Sequence, residues 1–146
     1  MNLKKLFLGV VFLLSSCVLH AQSTYFMRVP KQQGFESFKR ILSDNGFELQ
    51  IWEGTTYVFN KTSKAITTEI VVVSPPTGDI TDVMYEYAQE GVKTSHLYKN
   101  ISKEAIDNFG KPHIKTSKEM GWFFSDYSIV VMKDKAGVSM LWTKSK

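Results

Sequence analysis

The fold is decided in residues 35–52, FESFKRILSDNGFELQIW, where the apolar residues change from helical to alternating spacing. In the first part, apolar residues recur at helical spacing: Phe35, Phe38, Ile41 and Leu42. This stripe predicts a helix over residues 33–45. Gly46 follows this stripe, and glycine favours the left-handed conformation that ends helices. After the glycine, apolar and polar residues alternate. This period of two predicts a strand.

The same two patterns recur outward from this stretch. Alternating or β-branched runs predict further strands over residues 56–60, 66–74 and 80–87, the last of which could also be helical. An apolar stripe predicts a second helix over residues 95–109, with Thr94, Ser95 or Ser102 as its cap. Gly110 and Pro112 would stop that helix. Three strands are predicted after it, over residues 121–124, 128–133 and 138–143.

The order helix, strands, helix, strands predicts an α+β fold. Short turns between successive strands favour antiparallel pairing, and two helices would pack on one face of that sheet. The order also admits two α-β-β-β repeats. No linker or low-complexity tract divides residues 22–146, so we expect one domain there.

The N-terminus predicts export. Lys4 and Lys5 precede nine apolar residues, 6–14, whereas a membrane-spanning helix needs about 20. A charged start followed by such a run is typical of a secretory signal, here residues 1–21. Alternatively, Leu14-Ser15-Ser16-Cys17 would be a lipobox, with Cys17 acylated and anchored. We favour cleavage before Gln22, because residues 18–21 are apolar where a lipoprotein tether is usually polar. The expected location is the periplasm or the cell exterior, with an outer-membrane lipoprotein as the alternative.

Charge and cysteine content exclude several classes of protein. Without Lys4 and Lys5, the 18 basic residues fall to 16 against 14 acidic ones, a net charge of +2. The basic residues do not cluster, which argues against nucleic acid as a partner. Cys17 is the only cysteine, so we expect the mature domain to have no internal disulfide and no thiolate metal site.

Residues that could carry chemistry are few. His96 and His113 lie on different predicted elements, whereas a metal site needs three or four converging ligands. An acidic stretch consists of Asp79, Asp82, Glu86 and Glu90. It lacks the spacing of a calcium loop, and we interpret it as the solvated face of a strand. No nucleophile elbow or phosphate loop occurs. We therefore predict no catalytic residues, no metal and no cofactor.

Aromatic residues on the predicted strands are the one lead to a binding site. If helices cover one face of the sheet, some aromatics should lie on the open face and bind a partner: Trp52, Tyr57, Trp122 and Trp142. Simple alternation along this strand predicts that Trp52 lies on one face and that Leu49 and Ile51 lie on the other. The competing interpretation is that these aromatics seal the core.

Residues 101–142 resemble the repeat of the β-lactamase-inhibitor-protein-like superfamily, which includes small outer-membrane assembly lipoproteins. The resemblance is carried by a helix ending in Gly110-Lys111-Pro112 and by the aromatic strand Trp122-Phe123-Phe124 that follows. A second copy would cover residues 35–74, which lack a Gly-x-Pro. The resemblance implies a small binding or inhibitory domain of the cell envelope, without catalysis.

Three functions follow as hypotheses. The first is an exported, non-catalytic binding module of the cell envelope that holds a protein partner. The second is an inhibitor or immunity protein that blocks an enzyme. The third is a small carbohydrate-binding or hydrolase domain, supported by Trp52 and the acidic stretch.

Overall fold

The computed structural model describes residues 23–146, in which the chain forms two helices and one eight-stranded antiparallel sheet. This confirms the predicted α+β class. The predicted signal, residues 1–21, and the candidate lipidation site Cys17 lie outside the described residues.

The elements follow one another with short connections. Their bounds are α1 Phe35–Asp44, β1 Glu48–Glu53, β2 Thr56–Ser63, β3 Ile66–Val73, β4 Asp82–Gln89, α2 Thr94–Phe109, β5 Ile114–Lys115, β6 Glu119–Phe123, β7 Tyr127–Lys133 and β8 Val138–Lys144. The ambiguous segment 80–87 is confirmed as a strand, β4. The two-residue strand β5 was not predicted, since it is too short to show a period. No side chain caps α2, which begins after Lys93 rather than after one of the predicted caps.

A helix followed by four strands occurs twice along the described chain. The strand order in the sheet is β1-β2-β3-β4-β8-β7-β6-β5, so the two halves meet where β4 pairs with β8. Four strands follow each helix instead of the three in the expected repeat.

One face of the sheet, called the core face here, carries the buried strand residues. Residues directly paired in an antiparallel sheet share a face. A line of such pairs crosses the core face: Trp52, Tyr57, Val72, Val83, Trp142, Ile129 and Trp122. Phe35 of α1 lies on Tyr57, with ring centroids 4.1 Å apart, and Phe109 of α2 lies on Trp122 at 5.8 Å.

Residues 23–30, called the N-terminal strap here, also contact the core face. The Tyr85 hydroxyl donates to the Arg28 carbonyl, and the Tyr87 hydroxyl donates to the Phe26 carbonyl at 2.7 Å. The Tyr25 amide donates to Glu104 of α2 at 2.9 Å. Its apolar and polar residues alternate as they do in a strand, but the strap is not part of the sheet. The alternation seen in its sequence reflects instead the burial of every second side chain: Tyr25, Met27 and Val29.

Strand β1 departs from simple alternation. Leu49 pairs with Phe59, but Ile51, two residues later, pairs with Val58, so β1 carries one extra residue between these pairs. Beyond this bulge the faces are exchanged. Leu49 and Trp52 therefore lie on the side of the core face, and Ile51 lies on the other side, contrary to the predicted alternation.

Candidate protein-binding face

Two of the four aromatic residues predicted to bind a partner are buried in the core. Trp122 is 0% exposed and Trp142 is 1% exposed, so the expectation that they lie on the open face is wrong. The Trp122 indole donates to the Gly110 carbonyl at 2.8 Å, directly after α2. The register places both indoles on the core face, where they fill space between the sheet and its cover.

Trp52 and Tyr57 form a stacked pair at the edge of the sheet. Their ring centroids are 6.0 Å apart and their planes differ by 5°. Tyr57 is partly covered by Phe35, whereas Trp52 is 69% exposed. The pair lies on the side of the core face, not on the open face. Trp52 remains available for contact, and its role in partner binding stays a prediction.

The opposite face of the sheet, called the open face here, carries a continuous apolar row. It crosses all eight strands in register: Ile51, Val58, Val71, Met84, Leu141, Val130, Gly121 and Ile114. With strands about 4.8 Å apart, the row is about 34 Å long. The side chains between Val58 and Val130 are half-buried, and Ile51 and Ile114 at the two edges are 56% and 44% exposed.

Carboxylates flank this apolar row on both sides. One neighbouring line contains Glu48, Glu69, Glu86 and Glu119. The line on the other side contains Glu53 and Asp82. Residues two apart on a strand lie roughly 7 Å apart on the same face. Glu69, Asp82 and Glu86 therefore stand close to Val71 and Met84 of the row.

The acidic stretch does not form a single cluster. Asp82 and Glu86 lie in different lines of the open face, whereas Asp79 lies 3.9 Å from the Lys144 ammonium. His113 accepts a hydrogen bond from the Phe123 amide at 3.0 Å, far along the sheet from that stretch. Within residues 23–146, no three His, Cys, Asp or Glu residues come together as a metal site would require.

A depression of about 1440 Å³ runs beside the N-terminal strap. Asp126 is the carboxylate that lines it, and the basic side chains lining it are Arg28, Lys31, Lys61 and Lys64. Paired carboxylates, as used in glycoside hydrolysis, do not converge there.

The two tyrosines under the strap remain neutral hydrogen-bond donors. Burial raises the pKa of Tyr85 and the pKa of Tyr87 well above the ordinary tyrosine value, because the phenolate would be desolvated.

The apolar row was missed in the sequence, although a signal for it existed. The run Ile70-Val71-Val72-Val73 is apolar without alternation, a pattern that is also typical of a strand buried on both faces. The structure buries Ile70 and Val72 fully but leaves Val71 and Val73 half-exposed. In β3, β7 and β8, runs without alternation therefore mark strands whose open face is apolar as well as their core face.

No family model, curated protein or solved structure matches this chain. Neither helix of residues 23–146 is both long and apolar enough to cross a membrane.

Proposed function

We propose that this protein is an exported, non-catalytic binding module of the cell envelope that holds a protein partner on the open face of its sheet. The apolar row across that face is the observation that carries the proposal. Monomeric proteins rarely expose a large contiguous apolar patch, and such patches commonly mark interaction sites. The proposal includes that both helices and the N-terminal strap together cover the core face and leave the open face free.

The binding test removes the apolar row without changing the shape of the strands. Val58→Thr, Val71→Thr and Leu141→Thr together make the row polar while keeping residues that suit strands. We expect partner recovery from envelope extract to be lost in this triple variant. The matched control is Trp52→Ala, which removes an exposed apolar side chain from the other side of the sheet.

Three outcomes separate the hypotheses about the binding surface. Loss of the partner in the triple variant alone supports the open face. Loss in Trp52→Ala alone would assign binding to the aromatic pair at the edge. Unchanged recovery in both variants would contradict binding through either surface. Circular dichroism of each variant ensures that only folded protein is compared.

The aromatic pair at the edge supports a second candidate, carbohydrate binding. Trp52 presents an exposed indole with Tyr57 stacked beside it, and flat aromatic faces of this kind stack on sugar rings. Titration with soluble oligosaccharides should then change tryptophan fluorescence in the wild type and not in Trp52→Ala. An unchanged spectrum in the wild type would remove this candidate.

Further parts of the proposal concern origin and location. The symmetric strand order and the helix before each set of four strands support two related halves, as the resemblance to the β-lactamase-inhibitor-protein-like superfamily implies. That resemblance also makes an inhibitor or immunity protein the alternative kind of binder. The intact mass of the exported protein tests the N-terminus, since a start at Gln22 or at an acylated Cys17 gives different masses.

A further inference from the structure

The charge of the open face differs from that of the rest of the molecule. Its strand positions hold six carboxylates: Glu48, Glu53, Glu69, Asp82, Glu86 and Glu119. All 16 Lys and Arg residues of the described segment lie elsewhere, together with the other eight acidic residues. The open face therefore has a formal charge of −6 and the remainder a formal charge of +8, although the net charge is only +2.

The six carboxylates are not neutralised by neighbouring side chains. Between residues 23 and 146, the one ion pair is Lys144 with Asp79, and neither residue belongs to the open face. Charges of one sign that line a surface raise the local concentration of partners of the opposite sign. Like charges, in contrast, disfavour a partner strongly when the two surfaces meet.

We propose that the partner held on the open face is a cationic, amphipathic protein segment, an inference that rests on the proposed function. Apolar side chains of the segment would cover the row through Val71, Met84 and Leu141. Lys or Arg side chains on its two flanks would meet the carboxylates that stand on either side of that row. The apolar row, with four carboxylates in the line on one side and two in the line on the other, specifies this pattern on the partner.

The same charges argue against three other occupants. A second copy bound face to face would bring six carboxylates against six. Nucleic acid and anionic lipid surfaces carry negative charge and would be repelled by the open face. A neutral apolar segment would cover the row but would leave the carboxylates beside it without partners, at a desolvation cost.

The test uses a synthetic amphipathic peptide of about 18 residues composed of Leu and Lys, a length that spans about 27 Å as a helix. A second peptide has Glu in place of each Lys. Binding is followed by fluorescence anisotropy and by amide chemical shifts of the folded domain. We expect the Lys peptide alone to bind, with shifts in β3, β4 and β8, and we expect its affinity to fall as salt is raised.

Charge variants show whether the open face provides this selectivity. Glu48→Gln, Glu69→Gln, Glu86→Gln and Glu119→Gln together should weaken binding of the Lys peptide about tenfold or more. The matched control removes four exposed acidic side chains elsewhere: Glu36→Gln, Asp44→Asn, Glu90→Gln and Asp107→Asn. Binding by the control variant should stay within about twofold of the wild type.

The outcomes distinguish this inference from the proposed function. Equal weakening by both charge variants, or binding of the Glu peptide, would overturn the cationic partner. Concentration-dependent dimers or binding to anionic vesicles through this face would also overturn it. If the Val58→Thr, Val71→Thr and Leu141→Thr variant loses the extract partner while the open-face charge variant keeps it, the binding face stands and the cationic partner fails. If both variants keep that partner, the proposed function fails as well.

Discussion

Two buried tyrosine hydroxyls hold the start of the described chain against the middle of the sheet. Tyr85 and Tyr87 are both buried on β4 and donate to carbonyl oxygens of the N-terminal strap. A buried hydroxyl is tolerated where it makes a hydrogen bond, and it resists ionisation there because the phenolate would be desolvated. The strap is therefore anchored by groups that remain neutral well beyond the ordinary tyrosine pKa.

This anchoring predicts a loss of stability in alkali. Burial raises the folded-state pKa of Tyr85 and Tyr87, while the unfolded value stays near 10.0. Stability is thus complete below pH 10, and it falls above that pH because the unfolded chain releases protons that the folded chain retains. Each tyrosine should contribute about 1.4 kcal/mol per pH unit to this fall.

Urea unfolding at a series of pH values checks the slope. The variant with Tyr85→Phe and Tyr87→Phe should be less stable at neutral pH, because both strap hydrogen bonds are lost. Its stability should nevertheless fall less steeply above pH 10. Parallel curves for wild type and variant would show that these two hydroxyls do not hold their protons in the folded state.

The two core tryptophans provide a second comparison between single residues. The Trp122 indole has an acceptor, the Gly110 carbonyl, whereas within the described chain the buried Trp142 indole N–H has none. Both Trp122→Phe and Trp142→Phe leave a small cavity, but only the first breaks a hydrogen bond. We expect Trp122→Phe to cost about 1–3 kcal/mol more in the free energy of unfolding. Equal costs in urea denaturation would contradict this difference.

The sequence could predict that these tryptophans lie on strands but not which way they face. Trp122 and Trp142 sit in runs where both faces are apolar, as in Met140-Leu141-Trp142. Alternation identifies a buried face only when the other face is polar. Here the choice was made by the register with neighbouring strands, which places both indoles beside Ile129.

Among the elements, the helices were predicted most closely because their stripes are clear. Predicted helices 33–45 and 95–109 became Phe35–Asp44 and Thr94–Phe109. The bulge in β1 could not be predicted, since one extra residue leaves no mark on an alternating sequence. The strap could not be predicted either: its alternation resembles a strand, and its partners are tertiary contacts on β4 and α2.

The end of α2 depends on a conformation that glycine adopts readily. Gly110 has φ +83° and ψ −163°, a region that is essentially restricted to glycine. Its carbonyl also accepts the Trp122 hydrogen bond. We expect Gly110→Ala to lower the free energy of unfolding by about 1–3 kcal/mol, as measured by urea denaturation.

Gly34→Ala is the matched control for this backbone effect. Gly34 has φ −75°, and an added Cβ would meet the Gly78 carbonyl oxygen at an ordinary 3.6 Å. Its cost should stay below about 1 kcal/mol. A Gly110→Ala variant as stable as Gly34→Ala would show that residue 110 can leave its observed conformation freely.

At the scale of the whole molecule, the central pairing of β4 with β8 could not be predicted from the sequence. These strands lie about 50 residues apart, and local periodicity carries no information about which strands become neighbours. Turn signals predicted the hairpins within each half, where the connections are short. The joining of the halves determines the full length of the apolar row, so the row could not be predicted as a whole.

Removing the N-terminal strap should destabilise the entire domain. The strap buries Tyr25, Met27 and Val29, each contributing about 1.5–3 kcal/mol, while small domains have only about 5–15 kcal/mol of total stability. A variant that begins at Lys31 should therefore lose its cooperative thermal transition in circular dichroism. A synthetic peptide of residues 23–30 should restore the transition, and a scrambled peptide should not. A cooperative transition at the wild-type temperature without peptide would contradict this role.

The strap can reach its native position only after much later residues are available. Tyr25 meets Glu104, 79 residues later, and Asn108 lies beside Met27. The earliest of these residues to be made must therefore wait for some of the last, and contacts across such long separations slow the search for the native state. Until α2 has formed, the strap lacks these partners and its apolar side chains stay uncovered.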